Sequence, residues 1–339
     1  MGRGSRFGNV LAAHVRTWRP YTLWYVGLVG LAGAALAADR HTPGRLAAAW
    51  LVPTLVWLAA HYLGDYLDRD LDAISKPQRP IPSGRLRPST AVVCGVVLTC
   101  GGLAVGLSVN GLTVFLLAGG VGGAMAYNGF FKARGLWGNV VRGALTGAAF
   151  VFGAMMAVRT PPLELLLFVV VFWAHDAASN LVGTLRDVAG DREGGYVTFA
   201  VRHGLRRAAG TAAALYALAV ATAVAGTFLV PRDRAAYLLG ILLAAVLGAC
   251  AFRLLYAAGR ALSSRTALRS HEVLVVERLV LAAALLVPGL GLPTALGLLV
   301  PVLVVTLTTQ RVMRSRHEFS PDGRAHSADG PAAPPAFQH

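Results

Sequence analysis

The sequence predicts an all-α, polytopic membrane bundle, and three observations carry that reading. The chain is 55% hydrophobic and only 14% charged over 339 residues, with a mean hydropathy of +0.59, which is too apolar for a soluble domain of this size. Its apolar residues gather into windows of roughly 20, the length at which a helix crosses the hydrocarbon of a bilayer. Its Lys and Arg cluster in alternate connections between those windows, where the residues that set membrane topology belong.

The windows lie near 21–38, 46–63, 90–109, 111–127, 137–158, 163–183, 207–230, 235–257 and 276–309. The last is too long for one span and is interrupted by PGLGLP at 288–293. It is either one kinked helix or two short ones, so the count is nine or ten. Basic clusters fall in 1–20, 64–89, 128–136 and 184–207. These segments share one face, expected to be cytoplasmic together with the N-terminus in the cell membrane. Nine spans leave the C-terminus outside, whereas Arg311, Arg314 and Arg316 after the last apolar residues argue for inside. Residues 1–314 are expected to form one transmembrane domain. Residues 315–339, polar and rich in Pro, Gly and Ala, are expected to be a disordered tail.

The N-terminus MGRGSRFGNVLAAHVRTWRP lacks the compact apolar core and small-residue cleavage site of a signal peptide. A net charge of +15 raises the question of nucleic acid. The cations lie in short runs between apolar segments, however, so their partner is the lipid bilayer and nucleic acid is excluded. Cys94, Cys100 and Cys250 sit inside apolar segments without CxxC or Cys/His spacing, which reads as small core residues rather than a disulfide framework or zinc site.

The acids are where the chemistry lies. In GDYLDRDLDAISKPQRPIPSG (64–84), Asp65, Asp68, Asp70 and Asp72 fall within a chain that has only 16 acidic residues. If the second span continues as a helix, Asp65, Asp68 and Asp72 share a face and Asp70 points elsewhere. Like charges on one face repel, and a divalent cation resolves the repulsion. Mg²⁺ in particular binds through a few carboxylates and keeps coordination positions for substrate phosphates. Asp187 and Asp191, spaced i, i+4 after the sixth window, form a second acidic group on the same membrane face. Two such groups make a clamp for a diphosphate, with Lys76, Arg79, Lys132, Arg134, Arg186 and Arg192 as neutralising cations. Asp70, Arg85, Arg87, Arg206 and Arg207 read as solvated loop charges. Inside the spans, Arg142, His175, Asp176 and Asn180 are polar at membrane depth and therefore candidates for the interior site. Asp176 is either an acceptor base or cation-stabilising carboxylate deep in the site, or one half of a packing pair with Arg142 or His175. Trp24, Tyr25, Trp57 and Trp173 are expected to anchor interfaces or fill the core.

DYLDRDLDAISKPQRPIPSG resembles the first signature of the UbiA superfamily of intramembrane prenyltransferases, NDxxDxxxD with a KPxRPIPSG-like tail. DVAGDREGGYVTFAVRHG resembles its second, DxxxD followed by a GD-(basic)-x-x-G-x-x-T run. WRPYTL at 18–23 is similar to the RPxT-type start of the first helix, and YNGFFKARG at 127–135, with Tyr127 and Lys132, to the loop after the fourth. The likeness implies nine transmembrane helices around a central cavity with a cytoplasmic acidic cap. It implies Mg²⁺ and an isoprenyl diphosphate held by Asp65, Asp68, Asp72, Asp187 and Asp191, a diphosphate contact from Lys132, and Arg19 near the acceptor. Two positions depart from the pattern: Gly64 stands where the first signature opens with Asn, and Thr184 where an acid is common. His61, one turn before Gly64, is a candidate substitute for the missing amide.

The expected function is Mg²⁺-dependent transfer of an isoprenyl group to an aromatic or other small acceptor through an allylic cation. The alternative on the same scaffold is a terpene cyclase, which needs no acceptor. A transporter would show two symmetric halves with paired broken helices, and the two Asp motifs do not show them.

Overall fold

The computed structural model describes residues 3–230 and 232–319, and the chain is almost entirely helical. Helix α1 (Arg3–Trp18) meets the short α2 (Pro20–Leu23) at Arg19, whose left-handed backbone, φ 49°, is uncommon for a residue with a Cβ. Pro20 supplies a pre-set first turn for α2. Helix α3 (Tyr25–Ala37) follows at a 40° bend, and eleven of its thirteen residues are buried. Helices α4 (Pro43–Leu67) and α5 (Arg69–Ser75) carry the first acidic motif. The bundle continues with α6 (Pro88–Val109), α7 (Thr113–Ala126), α8 (Trp137–Ala157), α9 (Leu166–Glu193), α10 (Phe199–His203), α11 (Leu205–Ala225), α12 (Arg234–Ala258), α13 (Ser264–Leu290) and α14 (Leu292–Thr309). A π turn (Gln310–Arg314) leads into the last short helix, α15 (Ser315–Glu318).

Among the described residues, nine helices are long and apolar enough to cross a membrane. The bent pair at the N-terminus makes a tenth if it counts as one span. This is a multi-pass membrane bundle. Its centre is packed from α3, α8, α9 and α13 through side chains such as Leu28, Phe150, Phe168, Phe172, Leu285 and Leu286. Large apolar residues on α6 and α12, among them Val93, Val97, Leu239 and Leu242, remain exposed, as lipid-facing residues do, because hydrocarbon exerts no hydrophobic drive to bury them. Close backbone approach holds the centre together. A Cβ on Gly153 of α8 would lie 1.6 Å from the carbonyl oxygen of Gly30 on α3, so no larger residue fits that crossing.

The long apolar window 276–309 resolves into two full-length helices, α13 and α14, separated at Gly291, whose φ of 79° only glycine adopts easily. Helix α13 also begins at Ser264, well before the expected boundary at 276, because its first turns carry polar residues, Arg265 and Arg269 exposed and Ser270 buried, that depress local hydropathy. Glu318 reaches Lys76 at 3.2 Å, so residue 318 is on the same face as the acidic motifs. Residues 315–318, placed in the expected disordered tail, are helical and pack into the bundle; residues 320–339 lie outside the described residues. Two residues of the loop after α7, Arg134–Gly135 (β1), pair in parallel with Val197–Thr198 (β2) after α9. That pairing ties the segment holding Lys132 to the second acidic motif.

Candidate active site

The first acidic motif is not one uninterrupted helix. Helix α4 ends at Leu67, Asp68 caps it, and α5 resumes at Arg69. The i to i−4 amide bonds nevertheless continue, Asp68 to Gly64 and Asp72 to Asp68, both 2.8 Å. Helical spacing therefore survives, and Asp65, Asp68 and Asp72 are all buried in the wall of one cavity. Asp70 points out, with its side chain 87% exposed. Helix α9 brings Asp187 and Asp191 to the same cavity from the other side.

That cavity has a volume of about 410 Å³. Its polar end is a lattice of ion pairs. Arg19 donates to Asp65, Lys132 to Asp68 at 2.5 Å, and Arg79 to both oxygens of Asp72 at 2.9 and 2.8 Å. Lys76 meets Asp187 at 3.0 Å, and Arg186 makes a two-point contact with the same carboxylate at 2.9 and 2.6 Å. Asp191 makes no ion pair among the described residues. Burial alone would lower the pKa values of Arg79 and Lys132, but Asp72 facing the first and Asp68 facing the second outweigh it and hold both above the ordinary range. Both therefore stay cationic. The other end is apolar, walled by Val26, Val52, Val56, Leu116, Leu145 and Phe152.

Most of the residues singled out from the sequence converge here: Arg19, Lys76, Arg79, Tyr127, Lys132, Arg142, Asp176, Asn180 and Arg186 all line the cavity. Arg134 does not. It is exposed, and its guanidinium stacks 3.4 Å above the Phe130 ring, because β1 turns it away from the neighbouring Lys132. Arg192 is also exposed and outside the wall. Trp57 lines the cavity as well, stacked under the Arg142 guanidinium at 3.8 Å. Beside Gly64, where the resemblance leads one to expect Asn, the nearest side chain is the amide of Asn128: a Cβ on Gly64 would lie 3.8 Å from its Oδ1. Asn128 thus brings an amide to that place from a different helix. His61 lines the cavity too, with its Nδ1 2.9 Å from the Trp18 carbonyl.

Deeper in, Asp176 Oδ2 accepts from Arg142 at 3.2 Å and from Thr146 at 2.8 Å, and Arg278 lies 3.8 Å from Oδ1. His175 pairs instead with Glu277 at 2.5 Å, which also accepts from Tyr216 at 3.0 Å. Glu277 and Arg278, together with the cavity residues His271 and Glu318, escaped the sequence reading, and Arg314 entered it only as a topology cation. The first three lie in SHEVLVVERL (270–279), a run whose ionisable residues at membrane depth are themselves a site signal.

The cavity wall holds eight Lys and Arg and seven Asp and Glu, so it is close to neutral and does not by itself offset a diphosphate. The donor set is carboxylate oxygen, the ligand that Mg²⁺ prefers, and Asp65 Oδ2 is buried without a hydrogen-bond partner. Among the described residues no three acidic, His or Cys side chains converge to cage a metal. The acids are instead spread around the cavity, as suits ions that take one or two protein carboxylates and complete their shell with phosphate oxygens.

A family model, the UbiA prenyltransferase family, matches residues 26–271. A protein named digeranylgeranylglyceryl phosphate synthase from Halobacterium salinarum is 30% identical over 273 residues, covering 80% of this chain and 96% of that protein. A solved UbiA homolog from Aeropyrum pernix K1 superposes with a TM-score of 0.66 at 18% identity, covering 78% of this chain and 97% of its own. A UbiA homolog from Archaeoglobus fulgidus, solved bound to GPP and Mg²⁺, superposes with a TM-score of 0.59 at 14% identity over 91% of this chain and 100% of its own.

Proposed function

The chain belongs to the UbiA prenyltransferase family, and from that premise we propose that it is an Mg²⁺-dependent membrane enzyme that moves an isoprenyl group from its diphosphate to a small glycerophosphate-type acceptor. The acceptor is a correction to the aromatic one expected from the sequence. The relative from Halobacterium salinarum is named for a glyceryl phosphate that carries geranylgeranyl groups.

The observation that carries the reading is the polarity of one cavity: paired acids and cations at one end, apolar side chains at the other. Asp65, Asp68, Asp72, Asp187 and Asp191 are the groups that would hold Mg²⁺. Bound there, the metal supplies the positive charge that draws electron density onto the departing diphosphate. Lys76, Arg79, Lys132 and Arg186 bind the diphosphate oxygens, with Tyr127 and Asn128 at the edge of that site. The allylic C–O bond breaks with its electron pair leaving on the diphosphate. The acceptor hydroxyl oxygen then forms the new C–O bond and gives up its proton. Apolar walls keep water from capturing the allylic cation first. Asp176, Arg142 and Asn180 add polar groups to the wall of the same cavity. The concentration of Lys and Arg in the loops of the acidic face supports placing that face in the cytoplasm.

The test is mass analysis of products from purified protein with Mg²⁺ and geranyl, farnesyl or geranylgeranyl diphosphate, with and without geranylgeranylglyceryl phosphate. An ether formed only when the acceptor is present is the expected result. A cyclic hydrocarbon from the diphosphate alone would replace transfer with cyclisation.

A further inference from the structure

Of the eight cationic side chains in the cavity wall, seven face a carboxylate: Arg19 pairs with Asp65, Arg79 with Asp72, Lys132 with Asp68, Lys76 and Arg186 with Asp187, and Arg142 and Arg278 with Asp176. The eighth, Arg314, makes no ion pair among the described residues; the Glu318 and Glu272 carboxylates act on it only from beyond ion-pair distance. It is 1% exposed, yet its guanidinium donates only to Gln310 Oε1 and His271 Nδ1, each at 2.5 Å, and its Nε has no hydrogen-bond partner. Because Nδ1 of His271 accepts that bond, the ring is neutral with its proton on Nε2, a second donor beside the guanidinium. A buried cation without a direct ion pair is costly, and an anionic ligand lowers the cost.

We propose that Arg314 and His271 form a separate anion subsite that receives the phosphate of the acceptor. The inference rests on the glycerophosphate-type acceptor argued above. It distinguishes two anions by the protein groups that meet them: the diphosphate belongs to the cations on and between the two acidic motifs, and the phosphate monoester to Arg314. Glu318, one helical turn beyond Arg314, has its carboxylate on Lys76, Arg186 and Arg79 at 3.2, 3.2 and 3.5 Å. The Arg314 guanidinium also lies 5.3 Å from the ring of Tyr21, two residues from Arg19, the position that the resemblance places near the acceptor. Arg314 follows α14, beyond the last residue of the family match at 271, whereas His271 is that last matched residue.

The experiment compares wild type, Arg314→Met and Arg314→Lys as full-length protein in nanodiscs. It measures binding of geranylgeranylglyceryl phosphate, of its dephosphorylated analogue, and of Mg²⁺ with geranylgeranyl diphosphate. In wild type the phosphorylated acceptor should bind at least tenfold tighter than the analogue. Arg314→Met should erase that difference, change diphosphate binding less than twofold, and unfold no earlier than wild type without ligand. Arg314→Lys should retain most of the discrimination. If Arg314→Met does not fold, the wild-type and Arg314→Lys comparison decides: equal binding of the acceptor and its analogue by wild type overturns the proposal. Unchanged acceptor binding in Arg314→Met, or an equal loss of acceptor and diphosphate, overturns it too. If wild type binds the diphosphate but neither acceptor form, the acceptor reading itself has failed and the subsite falls with it.

Discussion

Glu318→Gln tests whether the C-terminal turn competes with substrate for the diphosphate cations. In the ligand-free protein the Glu318 carboxylate, 8% exposed, touches Lys76, Arg186 and Arg79. A diphosphate that takes these cations must displace it. Charge-assisted contacts contribute about 1.5–3 kcal/mol each when isolated. All three cations keep a second acid, Asp187 for Lys76 and Arg186 and Asp72 for Arg79, so the net displacement cost is smaller, on the order of 1.4 kcal/mol. That corresponds to about tenfold in affinity. Glu318→Gln should therefore bind a non-ionisable thiolo analogue of geranylgeranyl diphosphate, with Mg²⁺, about tenfold tighter by calorimetry. The same change removes a buried counter-charge, so the ligand-free variant should unfold at a lower temperature and the bound form should recover that loss. Unchanged or weaker binding of the analogue would refute displacement and leave Glu318 as a structural strut.

Further substitutions probe other parts of the cavity. Asp68→Asn keeps the shape of a helix cap while removing one motif carboxylate, and should lower turnover at least about a hundredfold with normal membrane insertion; activity near wild type would remove Asp68 from the clamp. Asp176→Asn takes the shared counter-charge from Arg142 and Arg278, both within 3.8 Å, and should destabilise the fold by about 3 kcal/mol. Its effect on diphosphate affinity should be less than threefold, as read by thermal unfolding beside a binding titration. Gly153→Val would drive a side chain into the Gly30 carbonyl and should lose folded protein outright, with an overpacking penalty of at least about 3 kcal/mol; a normally folded Gly153→Val would mean that α3 and α8 do not meet as described. Lys132→Met should weaken diphosphate binding about tenfold, through loss of one charge-assisted contact, and leave acceptor binding unchanged.

Local regularities were legible in the sequence. The length of each apolar run sets the helix that can cross a bilayer, so most spans fall near their expected windows. The spacing of Asp65, Asp68 and Asp72 puts them on one side of any near-helical backbone, and the break at Asp68 did not alter that. Hydropathy failed at 264–275, where Arg265, Arg269 and other polar side chains make a helix resemble a loop when averaged over a window. The position of Arg134 was also out of reach, since facing depends on a two-residue pairing with a segment more than sixty residues away.

The sequence by itself determined the class of the molecule, most of its spans and the two acidic motifs, because these follow from composition and from spacing within a few helical turns. Only the tertiary structure decided which charges meet. Asn128 lies beside Gly64, His175 takes Glu277 rather than Asp176, and the C-terminal turn brings Glu318 onto Lys76 and leaves Arg314 without a direct ion pair. Ion pairing in a buried cavity acts over a few ångströms between residues up to hundreds of positions apart, and helix packing, rather than local pattern, sets those distances.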